Sequence, residues 1–214
     1  MRKAYIFFGW VTMLIALAIA PSFIPIGNDT LMAWQREHIG WNYIGVSANF
    51  VLFFTYVFLS KKPFKHFGIT FKRVNNHAGF IILLACLLVG FVLLSNLFSE
   101  GPLTVHFPGW STIIFQLLFI SSGEELFWRG FIQTEYTMWI ASIGFGMMHF
   151  VPDVLLYMFT TAEFHVVSSF THLIFATMLG LLFGWVRLKT GSVFPAILLH
   201  GLYGLSNHLF ISGM

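Results

Sequence analysis

Charge is what this sequence has least of. Asp, Glu, Lys and Arg supply 9% of its 214 residues, against roughly 25% in soluble globular chains. Too few polar side chains remain to cover a water-facing surface. That scarcity excludes a soluble enzyme, a disordered chain and a nucleic-acid-binding domain. Cysteine is nearly missing too: the one present, Cys86, lies in an apolar run, so no intrachain disulfide can form. The alternating segments of about ten residues that mark a transmembrane β-barrel are also lacking. What the chain has instead is 57% hydrophobic residues, 27 Phe and 7 Trp, with a mean hydropathy of +0.83. The fold class expected is an all-α polytopic membrane protein. Eleven Lys and Arg against eight Asp and Glu leave a formal charge of +3, too little to imply a polyanion partner.

A bilayer core needs about 20 mostly apolar residues per helix. Seven segments qualify: about 4–24, 42–59, 78–98, 111–134, 137–150, 167–188 and 193–211. The first follows Met1-Arg2-Lys3 and shows no clear small-residue cleavage site before Pro21, so it is expected as a retained span. The fifth is short. It either tilts, or runs on through Pro152 into 154–164, or gives way there to a loop containing Asp153, Glu163 and His165. Basic residues orient the chain. Lys61, Lys62, Lys65, Lys72 and Arg73 fill one loop, Arg2 and Lys3 precede the first span, and Arg187 and Lys189 flank another turn. The loops at 99–110 and 151–166 have no Lys or Arg. Seven spans with a cytoplasmic N-terminus put every basic loop inside and predict an extracytoplasmic C-terminus. No linker or repeat divides the chain. It is expected as one membrane domain over 1–214, with N-terminal helices in 1–110 and a motif-bearing core in 111–212.

Ionisable residues inside membrane helices are costly and mark functional sites by default. Glu124, Glu125 and Arg129 fall in the fourth span, His149 in the fifth and His200 in the seventh. At 1.5 Å per residue, Glu124 lies about 15 Å from the inner end of its helix, His149 about 18 Å and His200 about 10 Å. The three fall at a similar depth, in the middle to inner part of the bilayer, which predicts a single polar cavity opening towards the cytoplasm. A carboxylate there can act as general base. Two imidazoles can polarise a carbonyl, stabilise an oxyanion or hold a metal ion. Arg129, one turn after Glu125, is expected to pair with it and leave Glu124 for chemistry. His172, in the sixth span, reads more simply as a helix–helix hydrogen bond.

Three motifs resemble those of the CPBP family, also called Abi or CAAX-protease-like intramembrane proteases. Ser122-Gly123-Glu124-Glu125-Leu126-Phe127-Trp128-Arg129-Gly130 is similar to its EExxxR motif, and Phe145-Gly146-Met147-Met148-His149 to its FxxxH motif. Gly180 to His200 is similar to its last block. The resemblance spans roughly 111–210. It implies a fold of seven to eight helices related to the CAAX prenyl endopeptidases, with Glu124 activating water and His149 and His200 completing the site. The family commonly has Asn or Asp four residues after the last histidine. Here that position is Gly204, and Asn207, one turn on, is the expected substitute. The family is commonly called metalloprotease, but no HExxH occurs. Glu124, His149 and His200 either bind zinc or work without it.

The reading expected from this is an intramembrane endopeptidase acting on a membrane-associated peptide or lipid-linked protein, in a multi-pass cell-membrane protein of the bacterial inner-membrane type. Two alternatives remain open. One is a membrane protein of bacteriocin self-immunity that binds its partner without cutting. The other is a haem or ion-translocating protein using His149, His172 and His200, which leaves the Glu-Glu-x-x-x-Arg spacing unexplained. The sequence leaves the oligomeric state open.

Overall fold

The computed structural model describes residues 40–98, 103–159 and 166–212. Among them run six helices: α1 (Gly40–Ser60), α2 (Ala78–Leu97), α3 (residues 110–135, in consecutive pieces), α4 (Met138–Phe159), α5 (Val166–Thr190) and α6 (Phe194–Leu209). Two single 3-10 turns, Phe64–Phe67 and Asn75–His77, and two strands, β1 (Leu103–Val105) and β2 (Phe210–Ser212), complete the described elements. The expected span at 4–24 lies outside the described residues.

Four of the expected spans fall on helices whose ends differ by at most two residues. The fifth differs. Of the three courses open to it, its helix takes the one that runs on through Pro152, reaching Phe159. A proline forfeits one main-chain hydrogen bond, and helices packed inside a membrane bundle tolerate that loss. The last span also differs. It was expected to reach 211, but α6 stops at Leu209 and the chain turns extended. β2 pairs antiparallel with β1, Leu103 opposite Ser212 and Val105 opposite Phe210.

Asn75–Leu97 and Val166–Thr190 are long and apolar enough to cross a membrane, and Ala48–Ser60 and Met138–Phe150 are shorter apolar stretches. The outward faces are correspondingly greasy. Phe58 is 82% exposed and Val167 81%, and α2 turns Ile82, Leu83, Leu87, Phe91 and Leu94 outward. Such surface is at home against lipid chains and out of place in water. The inward faces form an aromatic core between α1 and α3, in which Tyr56 stacks on Phe131 at 4.1 Å and Phe53 meets Phe67 edge to face.

Small residues set the helix spacing, as in membrane bundles generally. A side chain at Gly146 would run into Thr177 and the Leu173 carbonyl, one at Gly180 would meet Ser142, and one at Gly184 would meet Met138. These pairs run α4 antiparallel to α5. Arg129 donates to the Gly180 carbonyl at 3.0 Å and Gln133 to the Gly184 carbonyl at 2.9 Å. That four-residue step on both helices makes α3 parallel to α5.

The two ends of the bundle differ in charge. At one end the basic loop after α1 meets the turn between α5 and α6. Val193 donates its N–H to the Gly68 carbonyl at 3.0 Å, Phe71 stacks on Phe194 at 4.0 Å, and the Arg187 guanidinium lies against Gly68. Gly68 has φ +78°, and a side chain there would collide with that guanidinium. Lys62 pairs with Glu135 at 2.7 Å at the same end. At the other end lies the β1–β2 pair, whose segments carry no Lys or Arg.

Candidate active site

Helix α3 is not a uniform α-helix. Ser121–Glu125 has ordinary α turns, but the flanking Phe115–Ile120 and Leu126–Ile132 are wide π turns. Wide turns of this kind are frequent at functional sites. Hydroxyls five residues on use the carbonyls they present: Ser121 donates to the Gln116 carbonyl at 2.7 Å, Ser122 to Leu117 at 3.1 Å and Thr134 to Arg129 at 3.4 Å. The acidic pair thus sits on a short regular segment between two widened ones.

Glu125 and Arg129 are fully buried. Arg129 Nε stands 3.1 Å from Glu125 Oε2, close as an ion pair but off the line of a hydrogen bond. The guanidinium is covered by the rings of Phe145, 4.6 Å away, and Phe183, 5.7 Å away. Hydrogen bonds to the remaining groups offset the cost of burying such a pair; the Gly180 carbonyl supplies one, to Arg129 Nη2.

The second Glu125 oxygen organises the histidine. His200 Nδ1 donates to Glu125 Oε1 at 2.9 Å. An ionised carboxylate only accepts, so the proton belongs on Nδ1. Nε2 is left facing Glu124, whose Oε2 is 3.9 Å away. That Glu124 oxygen is buried and has no hydrogen-bond partner among the described residues. Phe183 lies nearly parallel to the His200 ring at 5.3 Å and fixes its plane. Adjacent helix residues differ by about 100° in direction, yet Glu124 and Glu125 reach one imidazole from its two nitrogens.

His149 Nδ1 donates to the Phe145 carbonyl of its own helix at 2.8 Å, leaving its Nε2 as an acceptor. The Phe145 ring lies 4.8 Å from the His149 ring and 5.7 Å from His200, so one phenyl separates the two imidazoles. His172 is exposed and lies 5.1 Å from His149, ring to ring. Among the described residues no three His, Cys, Asp or Glu are gathered to hold a metal ion. The zinc candidates Glu124, His149 and His200 do not form such a set in this arrangement. Asn207 does not join the site either. It is exposed and donates to the Tyr203 carbonyl of its own helix at 2.8 Å.

Residues 106–206 match the family model described as type II CAAX prenyl endopeptidase Rce1-like. This stretch, just under half of the chain, is similar to that family. No curated protein and no solved structure matches the chain. The Rce1-like region begins just before α3 and ends at Ser206. It therefore includes Glu124, Glu125, Arg129, Phe145, His149 and His200, and it stops one residue short of Asn207.

Sequence reasoning missed three contributors within the Rce1-like region. Phe183 and the Gly180 carbonyl carried no signal, since neither is polar in side chain. Gln116 did carry one: it is an amide in an apolar span, it is buried, and it lies against Gly204 on α6.

Proposed function

We propose that this protein is an intramembrane endopeptidase of the CAAX-protease type, in which Glu124 activates water. The observation that carries the reading is the buried, partnerless Glu124 oxygen, 3.9 Å from the nitrogen of an imidazole already held by Glu125. That separation suits a water hydrogen-bonded to both at about 2.8 Å. Glu124 takes a proton from the water, and the oxygen forms a bond to the carbonyl carbon of the peptide. The carbonyl electrons move onto its oxygen. When they return, the C–N bond breaks and the proton on Glu124 passes to the leaving nitrogen. His200 orients the water, and His149 offers a second acceptor across Phe145. No step is assigned to a metal.

The substrate class is a prenylated or otherwise membrane-associated peptide, which reaches the site within the lipid layer. The basic end faces the cytoplasm, giving a multi-pass cell-membrane protein. A second reading, a non-cutting immunity or partner-binding protein, draws on Gly204, where the CPBP family commonly has Asn or Asp.

The test uses purified protein in lipid vesicles and two quenched fluorescent peptides. One is farnesylated on a C-terminal Cys-aliphatic-aliphatic-Met sequence, and the other is an unmodified apolar peptide. Wild type should cleave at least one. Glu124→Gln should lower turnover by roughly 10²–10⁴-fold with unchanged thermal melting. Wild-type turnover in Glu124→Gln would remove Glu124 from the chemistry, and silence from the wild type on both peptides would leave the partner-binding reading.

A further inference from the structure

Amide hydrolysis places a negative charge on the former carbonyl oxygen, and that oxygen needs a hydrogen-bond donor. The site as built is rich in acceptors and poor in donors. The Nδ1 proton of His200 goes to Glu125, and that of His149 goes to the Phe145 carbonyl. Both imidazoles therefore present a bare Nε2. Arg129 keeps Nε and Nη1 without a hydrogen-bond partner among the described residues, but it is fully buried beneath Phe145 and Phe183 and its third nitrogen donates to Gly180.

Gln116 remains. It sits on the first wide turn of α3, is 6% exposed where Arg129 is 0%, and its side-chain amide makes no hydrogen bond among the described residues. A neutral amide offers two N–H donors.

The helix register places this amide beside the reacting groups. Helix α6 runs antiparallel to α3, so contacts step in order. Glu124 faces His200, Ser121 lies 3.4 Å from where a Gly201 side chain would begin, and Gln116 lies against Gly204. A Cβ on Gly204 would collide with the Gln116 amide nitrogen and stand 3.1 Å from its Cγ. The amide therefore occupies the place where a residue one turn after His200 would project its own side chain. Residues four apart on a helix hold their Cβ atoms about 5–6 Å apart. The Gln116 amide is thus about one helical turn from the His200 imidazole, along the seam that also holds Glu124.

We propose that Gln116 donates the hydrogen bond that stabilises the tetrahedral oxyanion, and that Gly204 is small because this amide, carried by the facing helix, fills its space. The proposal rests on the endopeptidase reading. Gln116 neither takes nor gives up a proton. Its N–H points to the oxygen as charge gathers there, while Glu124 carries the proton from water to the leaving nitrogen.

The test compares three proteins in vesicles: wild type, Gln116→Met, and the double variant Gln116→Ala/Gly204→Asn. Gln116→Met keeps the length of the side chain without its donors. The double variant returns an amide to the same space from α6. Turnover and KM are measured on the cleaved quenched peptide. Affinity is measured for a phosphinic peptide mimicking the tetrahedral state and for the matching uncleaved amide, with thermal melting as the check on folding. Gln116→Met should lose roughly 10²–10³-fold in kcat with little change in KM or melting, and should lose its preference for the phosphinic peptide by a similar factor. The double variant should recover at least tenfold of the lost kcat. Wild-type kcat and an undiminished phosphinic preference in Gln116→Met overturn the role of Gln116 and leave the endopeptidase reading intact. A wild type that neither cuts the peptide nor prefers the phosphinic form overturns both.

Discussion

Both oxygens of Glu125 are engaged, one accepting from His200 and the other facing Arg129. The sequence predicts only the second of these, because Arg129 stands four residues away on the same helix whereas His200 arrives from 75 residues further on. Glu125 is therefore a positioning residue as well as a counter-charge: it fixes which His200 nitrogen turns towards Glu124. Glu125→Gln should lower melting and yield, because it leaves Arg129 buried without its counter-charge, at a cost of about 3–5 kcal/mol. Arg129→Lys should be damaging as well. It keeps the charge but loses the planar fork that reaches Glu125 and the Gly180 carbonyl together. Melting in detergent, followed by tryptophan fluorescence, checks both; a melting point at the wild-type value in either variant would show that the buried pair is dispensable.

At the scale of the helix, the closest approaches are made where side chains are absent. Gly146 lies against Thr177 and the Leu173 carbonyl, so Gly146→Val should force α4 away from α5 and destabilise the protein by about 1–3 kcal/mol. Gly79 and Gly90 on α2 face open space, and Gly90→Ala should be neutral or slightly stabilising, since alanine favours the helix. A melting comparison of the two variants separates packing from propensity. Most helices were legible from the run of apolar residues, because a span declares itself by length and hydropathy. Their ends and exceptions were not. Pro152 left three courses open for the fifth span, and the helix runs on through it. The β1–β2 pair was illegible because three-residue strands 107 positions apart leave no local pattern. The acidic pair and the two histidines stood out as candidates because ionisable groups in an apolar run are conspicuous. Asn207 was misplaced because its helix turns it outward, while the amide that lies near the site, Gln116, belongs to another helix.

Across the whole molecule, the pairing of loops assigns the two ends without reference to charge. Residues 61–73 share an end with 187–194, and residues 103–106 share the opposite end with 209–212. Basic residues crowd the first end, so it is expected in the cytoplasm. Reporter domains inserted near residue 70 and near residue 106 should give opposite signals, and matching signals would break the topology. The same arrangement has a consequence for timing during synthesis. The ribosome delivers Glu124 and Arg129 first, His149 next and His200 last, with α6 clasped in place by a strand made still later. Until that helix arrives, Glu125 has no imidazole to hold and Glu124 has no facing nitrogen. Under the proposed function, a nascent chain would be inert until α6 closes against α3.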